Sequence, residues 1–379
     1  MPIDYLSQSV TAAGILTNQW FQSSTPGNWI PMDYWRTPVI CTLLVDLMSQ
    51  TNQVNYTDTL ENARQNGENQ LTTCGYYDDL TWWGRFFMHT YKYFKQQSNS
   101  QMAELYLADA KVVCDQLSQA WDASASDCGG GIWWMRPPPP LPPSNKFKAS
   151  NSTLGFMETA LALYLDSRDQ NYLQLGQKAW DWIVQYKFVD DKGLVWGALT
   201  DDCQIDPGNV PVLSLQGEAL TPLWMLYEAT GNTSYLDIAD KVAEGTMSNM
   251  VWPGTQIMQD RDDAKWANQT DYWKTQNSGD TPFKGLFATY LGEYTKNLST
   301  LSDPVRQQKA ATYAAFLRAN GDAVWTNYPG KIFGMDWHTL DPNYQPIPED
   351  NNPIPNSDYV NASLQYSGVC ALTAAALVS

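Results

Sequence analysis

The chain has 379 residues, enough for a large core, and carries 23 basic residues against 40 acidic ones, a net charge of −17. Nucleic-acid binding needs clustered Lys and Arg to displace counterions, and no basic stripe exists here. An anionic membrane surface is disfavoured for the same reason. No run of about 18 apolar residues could span a bilayer, and no linker or composition shift divides residues 1–379, which read as a single domain.

The chain starts Met1-Pro2-Ile3-Asp4 without the basic and apolar regions of a signal peptide. It reads as a mature secreted chain whose leader has been removed, with Met1 added. Further on, Asp79 opens a helix whose apolar face is Leu80, Trp83, Phe87, Tyr91 and Phe94. After Tyr91 and Tyr93 a second helix resumes near Tyr106-Leu107 and Ala110. The run Pro137 to Pro143 is short and reads as a rigid loop.

The same hairpin recurs more clearly downstream. Leu161, Tyr164 and Leu165 form one face, the turn is Ser167-Arg168-Asp169, and Leu173, Leu175, Ala179, Trp182 and Ile183 resume the pattern. Gly193-Leu194-Val195-Trp196 is a candidate short β piece. Leu226-Tyr227, then Gly231-Asn232, then Tyr235-Leu236, Ala239 and Val242 repeat the hairpin about 60 residues later. Apolar positions every three or four residues predict helix rather than strand. Helical hairpins must stack on neighbours to bury their faces. Roughly six fit in this length, and neither terminus looks like a polar cap. The expected fold is all-α, a six-hairpin (α/α)6 barrel; an open α-solenoid is the alternative.

The six cysteines, Cys41, Cys74, Cys114, Cys128, Cys203 and Cys370, fit disulfides outside the cytosol, with no pairing fixed by the sequence. No CxxC occurs, and His89 and His338 lie far from any cysteine, so a structural zinc site of the Cys/His kind is not expected. Sequons fall at Asn55, Asn151, Asn232, Asn268, Asn297 and Asn361, against roughly two by chance, which favours secretion and glycosylation.

The aromatic content is high, with 17 Trp and 21 Tyr. Sugar rings lie against aromatic faces while indole N–H and phenol groups meet hydroxyls. A single Trp reads first as core; clusters beside Gly-rich loops, such as Gly129 to Trp134, fit a cleft equally well. Asp-Asp occurs four times, as Asp78-Asp79, Asp190-Asp191, Asp201-Asp202 and Asp262-Asp263. Most such pairs are turns or helix caps. Asp190-Asp191-Lys192-Gly193 reads as a solvated turn, and Asp262-Asp263 sits in a polar stretch with Arg261 and Lys265. Asp78-Asp79 differs, because Tyr76-Tyr77 and Trp82-Trp83 flank it. Paired carboxylates are the usual machinery of glycoside hydrolysis, and a pair about 5 Å apart suits retention. His89 reads as an ordinary helix residue, and no GxSxG, GxGxxG or P-loop is present.

At Tyr76-Tyr77-Asp78-Asp79-Leu80-Thr81-Trp82-Trp83 the sequence resembles glycoside hydrolase family 76, the endo-α-1,6-mannanases, as a secreted fungal-type member. Further blocks follow in order: Cys128 to Trp134, Lys146 to Asn151, Gln216-Gly217, Pro282 to Phe287, and Asn320 to Trp325. The resemblance implies retaining hydrolysis of α-1,6-mannan by a monomer without metal or cofactor. By the same resemblance Asp78 is the nucleophile and Asp79 the acid/base. Tyr77, Trp82, Trp83, Trp133, Trp134, Asn151, Asp201, Asp202, Gln216 and Lys284 would contact sugar. Ser214-Leu215 replaces the family's Tyr-Asn before Gln-Gly. The alternatives are transfer to a cell-wall glycan at the same site, which a lipid-anchor signal beyond Ser379 would favour, a related α-glycan as substrate, or a non-catalytic sugar-binding protein.

Overall fold

Helices begin where the sequence supplies a cap. Asp4, Asn99, Asp169, Asp303 and Asn361 each accept a backbone N–H of the following first turn, satisfying a donor that a helix start leaves orphaned. Several helices stop at a residue in the left-handed region: Asn52 at φ 50°, Arg168 at 60° and Gly231 at 73°. The computed structural model describes residues 3–23, 27–29, 35–52, 54–136, 147–260, 263, 281–328, 332–339 and 361–379. Pro137 to Pro143, Lys146, Asp262, Lys265 and Asn268 lie outside the described residues.

Among these residues there are twelve α-helices. They are α1 (Tyr5–Trp20), α2 (Arg36–Thr51), α3 (Thr57–Thr73), α4 (Tyr77–Gln96), α5 (Ser100–Gln119) and α6 (Ser150–Ser167). Then come α7 (Gln170–Gln185), α8 (Leu213–Thr230), α9 (Ser234–Asn249), α10 (Phe283–Ser299), α11 (Pro304–Asn327) and α12 (Ala362–Leu377). The even-numbered helices pack on one another in sequence, α2 on α4, α4 on α6, α6 on α8, α8 on α10, α10 on α12, and α12 back on α2. That is a closed inner ring, and an open solenoid is excluded. Inner helices are buried on almost every side, as in α12 from Ala362 to Ala375. Outer helices bury one stripe, as in α7 with Gly176, Ala179, Trp180, Trp182 and Ile183.

The hairpins expected from Tyr91, Leu163 and Leu226 are α4–α5, α6–α7 and α8–α9. The sixth hairpin is assembled from the two ends of the chain. α12 is its inner helix and α1 its outer one, joined by Gln365 Nε2 donating to Ala12 O at 3.1 Å and Thr373 Oγ1 to Ser9 Oγ at 3.2 Å. Terminal capping repeats are needless because the ends cover each other.

Short turns link the inner helices α2, α4, α6, α8 and α10 to the outer helices that follow them, at 52–56, 97–99, 168–169, 231–233 and 300–303. Four returns are long, 120–149, 186–212, 250–282 and 328–361, whereas α3 runs into α4 through residues 74–76 alone. One end of the barrel is therefore built of loops and of the N-termini of inner helices, where the macrodipoles turn positive. α4 and α6 approach closely there. A Cβ on Gly155 would stand 2.2 Å from Thr81 Oγ1, and one on Gly84 2.6 Å from Thr159 Oγ1. This interlock draws the heads of both helices together.

The even cysteine count does not mean full pairing. One disulfide forms, Cys128–Cys203, tying loop 120–149 to loop 186–212. Cys41, Cys74, Cys114 and Cys370 are buried thiols, serving as small apolar side chains.

Candidate active site

The head of α4 is fixed by strand-like pairing in the loops. Tyr77 N donates to Trp134 O and Arg136 N to Gly75 O, both at 2.9 Å. β1 (Ile132–Trp133) pairs antiparallel with β2 (Lys148–Ala149), and Ala149 bridges to Ala198. Residues 75–77, 132–136 and 147–149 are thus laced side by side. The lacing delivers Trp134 and the first residues of α6 to Asp78.

Asp78 Oδ2 accepts from Trp134 Nε1 at 2.9 Å and from Asn151 Nδ2 at 2.7 Å. Its Oδ1 is sequestered and has no hydrogen-bond partner. The Trp134 indole is held in turn by stacking on Phe147, with ring centres 5.1 Å apart. Burial pushes the Asp78 carboxyl up to about 6, against the lowering effect of Trp134, the N–H groups of Asp79 and Asp78 itself, and Asn151. Asp79, the next residue of the first turn, is 7% exposed. Burial pushes the Cys74 thiol up to about 12, and the Asp79 and Asp78 charges add to it, so both carboxylates lie near that sulfur.

The other expected sugar contacts separate into groups. Tyr77 is half-buried with the Arg136 guanidinium 5.7 Å over its ring. Trp133 donates its Nε1 to Asp122 at 3.1 Å and carries the Lys148 ammonium over its face. Trp82 is nearly buried, with the Tyr290 ring 6.5 Å away. Trp83 is a core residue, fully buried against Phe86 and Phe87, and not a sugar platform. Gln216 is also fully buried. Its Oε1 accepts from Val195 N at 2.8 Å, and its Nε2 donates to Val195 O and Val212 O, so it staples the Gly193–Trp196 piece to α8.

Lys284 is spent internally rather than offered to a ligand. Its ammonium lies 2.6 Å from both oxygens of Asp263 and also donates to Met335 O. Asp263 is therefore no solvated residue; it is fully buried, and burial raises its carboxyl to about 6 against the pull of Lys284. Asp201 and Asp202 are exposed in the turn before Cys203, where Thr200 bonds Asp202. The disulfide ties that turn to the Gly129–Gly131 segment. Asn151, read as a sequon, is engaged with Asp78, and Asn361 caps α12 at 6% exposure; neither amide is available to a glycan. Asn55 and Asn232 are exposed.

Sequence reasoning missed Glu218 on α8. It is 2% exposed, and its Oε2 has no partner. Burial raises its carboxyl well above the ordinary range, with the Asp78 and Glu158 charges adding and Arg85 and Ser214 opposing. Its carboxyl is therefore sensitive to the charge on Asp78. A lone Glu inside the apolar run Leu215 to Leu226 was the available signal. Below it Arg85, 5% exposed, pairs with both Glu158 and Glu293 along the barrel interior.

The family model for glycosyl hydrolase family 76 matches residues 6–352. The chain belongs to this family. The mannan endo-1,6-alpha-mannosidase DFG5 of Saccharomyces cerevisiae is 23% identical over 244 residues, 63% of this chain and 48% of that protein. The chain spans about half the length of the curated relatives it matches. An inactive variant of an α-1,6-mannanase from Salegentibacter, with two consecutive aspartates replaced by Asn and α-1,6-mannotriose bound, superimposes with a TM-score of 0.73 at 20% identity. The match covers 99% of this chain and 100% of that one. Dfg5 from Chaetomium thermophilum in complex with glucosamine gives 0.75 at 15% identity, covering 98% and 90%. Both likenesses run the full length of the barrel, and family 76 members of solved structure include bacterial ones.

Proposed function

We propose that this family 76 chain is a secreted, retaining endo-α-1,6-mannanase that works by double displacement, with Asp78 as nucleophile and Asp79 as acid/base. The observation that carries the reading is the clamp on Asp78. Trp134 and Asn151 hold Oδ2, which orients the carboxylate and leaves the sequestered Oδ1 as the oxygen without a hydrogen bond. Oδ1 forms a bond to the anomeric carbon as the glycosidic C–O bond breaks, and Asp79 gives its proton to the leaving oxygen. Water then attacks the anomeric carbon, Asp79 takes the water proton, and the bond to Asp78 breaks. The Salegentibacter variant, inactive without its own consecutive aspartates, supports a role for the pair. The Cys128–Cys203 disulfide and the exposed sequons Asn55 and Asn232 support secretion, and the yeast relatives support a fungal-type member.

The test is Asp78→Asn and Asp79→Asn, each assayed on linear α-1,6-mannan. Both should be inactive, and near-full activity in either overturns the assignment. A second reading, transfer of the mannosyl group to another sugar, is supported by the likeness to a Dfg5 that holds glucosamine. Added acceptor glycan separates the two: longer products mean transfer, short free oligosaccharides mean hydrolysis.

A further inference from the structure

The end of the barrel away from Asp78 carries a second set of ligand-type side chains. His89 lies eleven residues after Asp78 on α4, about 16 Å along the helix. There a cavity of about 380 Å³ opens among the inner helices, lined by Asp46, His89, Lys92, Trp224, Glu228 and Glu293 with others. Three of these side chains come from three different inner helices: Asp46 from α2, His89 from α4 and Glu293 from α10. His89 Nδ1 is 3.1 Å from Asp46 Oδ1, and its Nε2 is 4.0 Å from Glu293 Oε1. One ligand atom from each lies within 4.8 Å of the other two. The side chains are 22%, 19% and 20% exposed, and all three line the cavity.

Carboxylates crowd this point. Arg85 bonds Glu158 and Glu293, so one guanidinium faces two carboxylates, and Asp46 adds a third beside a histidine, with Lys92 and Lys296 also on the cavity wall. The cavity also opens among the C-terminal turns of inner helices, where free carbonyls favour a cation. We propose that Asp46, His89 and Glu293 form a divalent-metal site at the end of the barrel away from Asp78, open to further water ligands through the cavity. One imidazole with two carboxylates suits Zn²⁺ or a similar transition ion, whereas Ca²⁺ and Mg²⁺ prefer oxygen throughout. Bringing the three atoms to Zn²⁺ distances of about 2 Å requires Glu293 to exchange a bond to Arg85 or Thr221 for the ion. The ion ties α2, α4 and α10 together and takes no part in chemistry at Asp78.

The experiment uses the full chain stripped with chelator and titrated with Zn²⁺, followed by calorimetry and thermal unfolding. One equivalent should bind and raise Tm. His89→Ala should weaken binding by at least about tenfold, and so should the near-isosteric Asp46→Asn, which decides the matter if His89→Ala fails to fold. Asp78→Asn should bind as the wild type does. Absence of stoichiometric binding overturns the site, as does binding untouched by Asp46→Asn or abolished by Asp78→Asn, which would move the ion to the other end.

Discussion

The two ends of the barrel are made by one helix ring yet differ in kind. At the Asp78 end stand the N-termini of the inner helices, and three laced segments aim Trp134 and Asn151 at one carboxylate oxygen. At the His89 end, short turns leave no loop to position anything, and the ionisable groups stand on the inner helices themselves. Loops can place groups with special geometry and be changed without disturbing the ring. Groups on the inner helices are fixed by packing. The difference teaches that the first end is arranged for a substrate that must enter and leave, the second for something small that stays.

The largest effect that could break this contrast is at Asp78. Asp78→Asn should lower turnover about a thousandfold or more. It should also raise stability. The folded carboxyl sits at about 6, above its ordinary value of 3.8. Its favourable contribution to folding is thus complete only below about pH 4 and is lost as pH rises through 6. At neutral pH the buried charge costs up to about 3 kcal/mol, at 1.36 kcal/mol per pH unit. Thermal unfolding of Asp78→Asn at pH 7 and pH 4 should show a gain at pH 7 that shrinks at pH 4. A loss of stability at pH 7 would mean that the site is not strained by this carboxylate.

The disulfide comes next. Cys128→Ser with Cys203→Ser should cost about 2 to 4 kcal/mol and loosen loops 120–149 and 186–212, which frame Asp78. Mannan cleavage should therefore fall, while Zn²⁺ binding at the opposite end persists in protein that remains folded. Equal damage at both ends would erase the distinction between them.

A smaller effect belongs to Trp134. Asp78 must be ionised to attack, so kcat/KM should fall about tenfold per pH unit below roughly pH 6. Trp134→Phe keeps the stacking surface and removes one donor to Oδ2. A hydrogen bond to a charged group contributes about 1.5 to 3 kcal/mol, so the acid limb should move up by about one to two pH units. An unmoved limb with unchanged kcat would remove Trp134 from the clamp.

Much of this architecture was legible in the sequence, for a local reason. Apolar spacing and turn residues such as Asp169 and Gly231 act within a few positions, so hairpins show themselves. The α12–α1 hairpin was hidden because its two helices lie at opposite ends of the chain, and spacing rules carry no signal over that range. The same limit hid Lys284's partner. Asp263 looks solvated among polar neighbours, and only tertiary packing buries it against the ammonium. His89 read as an ordinary helix residue, because Asp46 and Glu293 reach it from other helices. The family blocks led to Asp78 and to its partners Trp134 and Asn151, but not to which of the other block residues are structural staples.

The smallest expected effect sharpens the comparison most, because it concerns an acidic group lying between the two ends. Glu218 is buried on α8, raised by its surroundings, and influenced by Asp78 above and Arg85 below. If it is a neutral acid, Glu218→Gln replaces one uncharged side chain by another of the same shape. The acid limb of kcat/KM should then stay in place, and stability at pH 7 should change by less than about 1 kcal/mol. If Glu218 were instead ionised beside Asp78, the substitution would remove a like charge, and the Asp78 limb would move to lower pH. A downward shift would make the two carboxylates a coupled pair and extend the Asp78 site into the barrel interior. A fixed limb leaves Asp78 controlled from the loop side alone, by burial, Trp134 and Asn151.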